Sequence, residues 1–94
     1  MPIGVLTIAI QLPGCQSLKE KRSRLKPLIA RLHREFNISV AEMDAQDRWS
    51  EAVLACALVN SDHKLIQRSL HIVPTWIEQH WPDVAVTDDH LELI

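Results

Sequence analysis

Residues 3–20, IGVLTIAIQLPGCQSLKE, place a strand, a tight turn and a helix start next to one another. Apolar side chains alternate with smaller or polar ones from Ile3 to Leu12, which is the two-residue period of a strand with one buried face. Pro13-Gly14 ends this pattern. Ser17 and Glu20 then have the spacing of a capping box, in which a hydroxyl and a carboxylate satisfy the first free amides of a helix. The stretch therefore predicts a strand followed directly by a helix.

The first helix is predicted to run to about Phe36, with Asn37 as its C-cap. Its apolar side chains recur at three- and four-residue steps and form one stripe that must face a sheet. They are Leu18, Leu25, Leu28, Ile29, Leu32 and Phe36. Pro27 lies inside this helix, where it removes an amide donor and is expected to bend the axis.

The next two strands are predicted as a hairpin. The first covers Ile38 to Asp44, with Ile38 and Val40 facing the core, and the polar residues 44–47 form the turn. The second covers Trp49 to Asn60. Its residues 53–59 are apolar on both faces, which is typical of a central strand.

A second helix is predicted after the hairpin, from a cap at Ser61 or Asp62 to Pro82-Asp83. Its inner face comprises Ile66, Leu70, Val73 and Ile77. Pro74 is expected to bend it. The last segment, 84–94, is strand-like but interrupted at Asp88-Asp89.

The resulting element order is β-α-β-β-α-β in a single domain over residues 1–94. With right-handed crossovers, this order predicts an α+β ferredoxin-like fold, in which a four-stranded antiparallel sheet carries both helices on one face. The first and third strands are then central. On their outward faces they carry small, mostly apolar residues where an exposed sheet should be polar. This predicted dimer face comprises Val5, Thr7, Ala9, Val53, Ala55, Ala57 and Val59, and burial in a homodimer competes with a solvated face of short side chains.

Composition excludes several classes of protein. The 94 residues carry a net charge of −2, and 47% are hydrophobic with two glycines and five prolines, which is typical of a compact chain. No apolar run approaches the roughly 20 residues that a membrane-spanning helix needs. The apolar stretch near the N-terminus follows no basic residue, unlike a signal peptide. We therefore expect a cytoplasmic protein without membrane contact.

Signals for catalysis or metal binding are weak. Cys15 and Cys56 are isolated, so they predict neither a disulfide framework nor a four-ligand zinc site. The five histidines lack metal-ligand spacing, and the chain has no glycine-rich phosphate loop and no serine elbow. Cys15 precedes a helix start with cations nearby, so it is either a small filler or a reactive thiol. The sequence predicts no enzyme, no catalytic residues, no metal, no cofactor and no small-molecule substrate.

Positive charge is concentrated in the first helix. Residues 19–34 carry a net charge of +6 and the rest of the chain −8. A capped helix start with nearby cations is a general anion site. The predicted nucleic-acid or anion site comprises Ser17, Lys19, Lys21, Arg22, Arg24, Lys26, Arg31 and Arg34. The alternative is a solvated face that carboxylates neutralise, with Asp44 and Asp47 of the hairpin expected at the same end of the sheet.

Short strings of the sequence resemble a known family. They are SLKEKR at 17–22, Leu25-Lys26, residues 37–42, Gln46-Asp47 with Trp49, and residues 52–54. With these strings the chain resembles the YlxP-like family of small bacterial proteins, whose function is not established. The resemblance implies a ferredoxin-like fold, a cytoplasmic location and a gene neighbourhood of translation and ribosome-assembly factors. It implies no catalytic residue. Pro27 and Ser50-Glu51 depart from the family pattern, the second by lacking a basic residue near the hairpin.

Two functions follow from these observations. The leading hypothesis is a non-enzymatic module that binds RNA or a ribosomal component through phosphate contacts from the first helix. Base stacking on the sheet is not expected, because the stacking positions of the central strands hold Val, Ala, Thr and Leu and the chain has no Tyr and only one Phe. The second hypothesis is a protein-interaction or homodimerisation module that uses the apolar face of the sheet. Phosphate binding weakens steeply with salt, whereas apolar association does not.

Overall fold

A four-stranded sheet carries the helices on one of its faces. The structure is a computed structural model that describes residues 2–43 and 48–94. Its elements in chain order are β1 (Ile3–Gln11), α1 (Leu18–Phe36), β2 (Ser39–Glu42), β3 (Glu51–Val59), α2 (His63–His71), α3 (Val73–His80) and β4 (Ala85–Leu93). The strand order is β2-β3-β1-β4, and each neighbouring pair is antiparallel. The predicted ferredoxin-like α+β fold is confirmed, with β1 and β3 in the centre.

The start and end of α1 lie where the caps predicted them. The Ser17 hydroxyl accepts a hydrogen bond from the Glu20 amide at 3.0 Å, which satisfies one of the free donors at the helix start. Asn37 takes up a left-handed conformation with φ 52° and ends the helix. The helix continues through Pro27, whose side chain lies on the exposed face. The capping-box glutamate pairs with Arg24 at 3.5 Å.

The β2–β3 hairpin has shorter strands than predicted. β2 covers four residues and β3 begins at Glu51 rather than Trp49. The Trp49 side chain is exposed, so it does not anchor the end of the strand in the core. The hairpin acids Asp44 and Asp47 lie outside the described residues, so the predicted neutralisation of the first helix by these two carboxylates stays a prediction.

The predicted second helix consists of two helices. α2 ends at His71 and α3 begins at Val73, with Ile72 between them. Pro74 lies in the first turn of α3, where a proline has no intrahelical amide bond to lose. The expectation of one bent helix is therefore wrong, because the proline starts a new helix. Asp62 caps α2, and the predicted inner face is confirmed as fully buried.

Strand β4 is continuous through the two aspartates that were expected to break it. Ala9 pairs with Asp88 and Ile10 with Val86, so Thr87 is an extra residue in a bulge. The Thr87 hydroxyl donates to the Ala9 carbonyl at 3.2 Å. As β4 is an edge strand, the carboxylates of Asp88 and Asp89 remain exposed to water.

The core lies between the sheet and the helices. α1 packs on the β2 side of the sheet, α2 on β1 and β3, and α3 on β4. Apart from Lys21, the buried side chains of β1 and α1 are those that the sequence placed on inner faces, among them Ile8, Leu28 and Leu32. Cys56 is completely buried, and desolvation raises the pKa of its thiol to about 12. Cys15 is also buried, beside the start of α1.

Candidate nucleic-acid interface

Lys21, which the sequence assigned to the anion site, lies in the interior. Its side chain is 1% exposed, and its Nζ is 3.0 Å from Glu42 Oε2 and 2.9 Å from the Arg48 carbonyl oxygen, to which it donates. The ammonium therefore connects α1 to the end of β2 and to the residues before β3, and it is not available for direct contact with a ligand. Its spacing of four and seven residues from Leu25 and Leu28 places Lys21 on the apolar stripe, which is the signal that sequence reasoning missed.

The start of α1 is less favourable to anions than its cap predicted. A cavity of about 190 Å³ lies there and is lined by Leu18, Lys21, Arg22 and Glu42. The Glu42 carboxylate offsets the charge of Lys21 within this cavity, and the Ser17 hydroxyl already accepts from the Glu20 amide. The Lys21–Glu42 pair leaves Arg22 as the one uncompensated cation of this cavity's lining, so a surface with several unpaired cations is the better candidate for binding an anion.

One flank of α1 uses its arginines for internal contacts. Arg24 donates to the carbonyls of Pro13 at 2.9 Å and Asp83 at 2.6 Å, and it lies within 4 Å of two carboxylates. Arg31 pairs with Glu35 at 3.3 Å and lies 5.4 Å from the centre of the Trp76 ring. These contacts fasten α1 to the loop before it and to α3. Arg24 and Arg31 are therefore poor candidates for ligand contacts.

The opposite flank of α1 carries a cationic row, which consists of Lys19, Arg22 and Lys26. All three side chains are exposed, and no ion pair joins them to any residue of 2–43 or 48–94. At 100° per residue they fall within an arc of about 60° on the helix, and they span about 10 Å along its axis. Arg34 is exposed as well but lies two turns beyond Lys26. The row is the densest unpaired positive surface in the described part of the chain.

An apolar groove runs between this row and the edge strand β2, and we refer to it as the α1–β2 groove. It has a volume of about 290 Å³ and is lined by Arg22, Leu25, Lys26, Ile29 and Glu42. Leu25 and Ile29 form the apolar part, and the two cations form the rim on the helix side. Sequence reasoning assigned Ile29 to the core stripe, but its side chain is only half-buried because it lies at the margin of that stripe.

The register of the sheet brings the predicted dimer face together. Val5 pairs with Ala57, Thr7 with Ala55 and Ala9 with Val53 on the side away from the helices. Thr7 and Val59 are exposed, and the other five members are half-buried by their neighbours. On the same face β4 presents three polar side chains, which are Asp88, His90 and Glu92. The apolar surface therefore has a polar, mostly acidic border on one side.

Two other kinds of site are absent from the part of the chain that the structure describes. No group of three His, Cys, Asp or Glu side chains in residues 2–43 and 48–94 is arranged to hold a metal ion. None of the helices that the structure describes has the length and hydropathy to cross a membrane.

Comparison with known proteins shows similarity to a family of unknown function and to an uncharacterized protein. The family model described as "Protein of unknown function (DUF503)" matches residues 3–90. The uncharacterized protein YlxP of Bacillus subtilis (strain 168) is 34% identical over 71 residues, which are 76% of this chain and 76% of that protein. The crystal structure of protein SO0527 from Shewanella oneidensis aligns with 97% of this chain and 88% of its own, at 14% identity and a TM-score of 0.47.

Proposed function

The chain belongs to the DUF503 family of proteins of unknown function, as the resemblance to the YlxP-like family predicted, and we propose that it is a non-enzymatic module that binds RNA through its phosphates. The RNA is a cytoplasmic one or part of a ribosomal particle. The contacts come from the cationic row, which is Lys19, Arg22 and Lys26. Arg34 adds a phosphate contact when the RNA strand is long enough to reach it. Lys21 acts on binding only by holding β2 and α1 together.

The observation that supports this proposal is the separation of charge on α1. The helix uses Lys21, Arg24 and Arg31 for its own structure and leaves the cationic row without a partner among residues 2–43 and 48–94. Cations that only keep a surface soluble are usually interspersed with acids, whereas the one acid between residues 19 and 34 is Glu20, which pairs with Arg24. Three aligned cations match a chain of phosphates, whose binding gains free energy from counterion release.

The proposal is tested by salt titration of RNA binding. The triple variant Lys19→Gln, Arg22→Gln, Lys26→Gln removes the row, and Lys64→Gln with Arg68→Gln removes exposed cations of α2 as a control. Binding of a fluorescent 20-nucleotide RNA is followed by anisotropy between 25 and 200 mM KCl. We expect the slope of log K against log salt to be less steep by about 2 in the triple variant. Each phosphate contact on a single strand contributes roughly 0.7 to the steepness, and the variant loses three contacts.

The control variant is expected to keep the wild-type slope. If the triple variant binds like the wild type, the row does not contact RNA. If the wild type shows no binding at 25 mM KCl, the proposal is wrong altogether.

A second candidate function is homodimerisation through the open face of the sheet. It is supported by the register, which places Ala55 and its neighbours in one apolar surface on the two central strands. An isologous dimer would cover these residues with the same residues of a second copy. Stable interfaces bury about 800 Å² on each partner, which would require most of this face rather than its centre alone.

Light scattering after size exclusion separates the two states. The wild type is expected to have twice the chain mass of 10.7 kDa at about 50 µM. Ala55→Glu places a charge in the centre of the face and should give the single-chain mass. Ala30→Glu, on the exposed side of α1, is the matched control and should leave the mass unchanged. A single-chain mass for the wild type would exclude the dimer at that concentration.

A further inference from the structure

We propose that the α1–β2 groove receives an unpaired base of the bound strand, so that the RNA recognised is single-stranded. This inference rests on the proposed function and specifies its ligand class. It follows from three features that meet at one place: an apolar surface, an unpaired strand edge and two unpaired cations.

The groove offers an apolar surface on which a base can pack. Ile29, which is half-buried, and Leu25, which is buried, both line the groove, so the surface between α1 and β2 is aliphatic. The volume of about 290 Å³ is just below the lower limit of about 300 Å³ for pockets that hold drug-sized ligands. A nucleobase presents a flat, weakly polar face that packs on such a surface, and in single-stranded RNA that face is free to leave the stack.

The edge of β2 beside the groove has backbone hydrogen-bonding groups that do not pair with β3. The Met43 amide donates to the Val53 carbonyl at 2.7 Å, which identifies this pair as hydrogen-bonded. Along an antiparallel ladder, hydrogen-bonded pairs alternate with pairs that are not hydrogen-bonded, so Val40 and Glu42 belong to the second kind. Their backbone N–H and C=O groups are therefore directed away from β3. β2 is the outermost strand, and no described strand lies on that side. A base in the groove would meet these donors and acceptors with its own edge.

The charges at the rim favour a phosphodiester beside that base. Arg22 and Lys26 are one helical turn apart, line the groove and lack an ion-pair partner in the described ranges. The Glu42 carboxylate would oppose a phosphate, but its Oε2 is 3.0 Å from the buried ammonium of Lys21, which compensates its charge. The net rim charge is therefore positive. A duplex could satisfy the cations, but its bases are stacked inside and cannot enter the groove.

The test compares a 12-nucleotide single-stranded RNA with the same strand annealed to its complement, by anisotropy at 50 mM KCl. Ile29→Ala is expected to weaken binding of the single strand about tenfold, because it removes apolar contact with the base, and to leave duplex binding and the salt slope unchanged. Ile29→Val should restore most of the affinity. Ile72→Ala, an exposed isoleucine between α2 and α3, is the matched control and should bind like the wild type.

A second measurement uses the wild-type chain, so it does not depend on a variant that folds. In NMR spectra, the single strand should shift the amide resonances of Val40 and Glu42, whereas the duplex should shift only those near the cationic row.

Three results would overturn the inference. Equal losses for single strand and duplex in Ile29→Ala would show a general loss of structure or affinity. If Ile29→Ala binds RNA like the wild type while the cationic-row variant still binds weakly, no base binds in the groove and the proposed function stands. If poly-glutamate binds with dependence on Ile29 while neither RNA binds, the groove takes an acidic peptide and both proposals fail.

Discussion

Replacing Lys21 by methionine should destabilise the fold by about 2–3 kcal/mol, although a lysine in a basic helix is normally a surface residue. The variant keeps the apolar stem of the side chain and removes the ammonium that contacts Glu42 and the Arg48 carbonyl. Removing one partner of a buried ion pair typically costs about 3–5 kcal/mol, because the other charge remains without compensation. The Glu42 side chain is 22% exposed and can regain some water, so we place the cost below that range.

The contribution of the pair can be isolated by a double-mutant cycle. Glu42→Gln removes the charge of the other partner while keeping an acceptor near Lys21. We expect the double variant to lose about 1–2 kcal/mol less free energy of unfolding than the two single variants lose in sum. The reason is that each single variant leaves one charge without its partner, whereas the double variant removes both charges. The coupling should fall little with added salt, because a buried pair is poorly screened.

The assay is urea unfolding followed by tryptophan fluorescence, with the midpoint and the slope both recorded. Arg34→Met is the matched control, an exposed cation of the same helix, and should change the free energy of unfolding by less than about 0.5 kcal/mol. If Lys21→Met is equally mild, Lys21 is solvated. The division of α1 into structural and free cations would then be wrong, and Lys21 would return to the candidate binding surface.

The remaining predictions concern single positions. Gly4→Ala adds a Cβ that would overlap Ile66 Cγ2 and should cost about 1–3 kcal/mol in urea unfolding. In Gly14→Ala the new Cβ meets nothing within 4 Å, so only the φ of +75° should matter, at about 1 kcal/mol, and equal losses at the two glycines would contradict this reasoning. Asn37→Gly should raise Tm slightly, since glycine adopts the left-handed conformation without strain, and a lower Tm would contradict that reading. Because burial raises the pKa of Cys56 from 9.0 to about 12, dithionitrobenzoate should label it at pH 8 only after unfolding. The raised value in the folded state means that the thiol contributes stability below pH 9, which is lost as the pH rises towards 12.

The periodic elements of this chain were predictable because their signals are local. Alternation over β1 and the apolar stripe of α1 identify buried faces, and the side chains of Ile8 and Leu32 lie where those patterns placed them. The caps at Ser17 and Asn37 were predictable for the same reason, since Ser17 bonds an amide three residues away and Asn37 ends the helix through its own backbone conformation. Pro74 was misread because a proline that bends a helix and one that starts a helix have the same local sequence.

The candidate site was only partly predictable. All eight of its predicted residues lie in or directly before α1, but the structure divides them into one cap, three cations with internal contacts, the cationic row and the separate exposed Arg34. This division depends on contacts made far along the chain, such as Lys21 with Glu42 and Arg24 with Asp83. The groove beside Ile29 has no sequence signal, because it exists only where a helix lies next to an edge strand.

The amino-acid sequence determined the order of strands and helices, the faces that enter the core and the concentration of positive charge in α1, because each depends on periodicity or composition within one segment. The tertiary structure decided which of those charges remain free. An ammonium on the apolar stripe is drawn inside with Glu42 as partner, an arginine on one flank meets Asp83, and Arg22 on the other flank faces an open groove. The reason is that ion pairing depends on distance in space, which the chain acquires only when the sheet and the helices pack together.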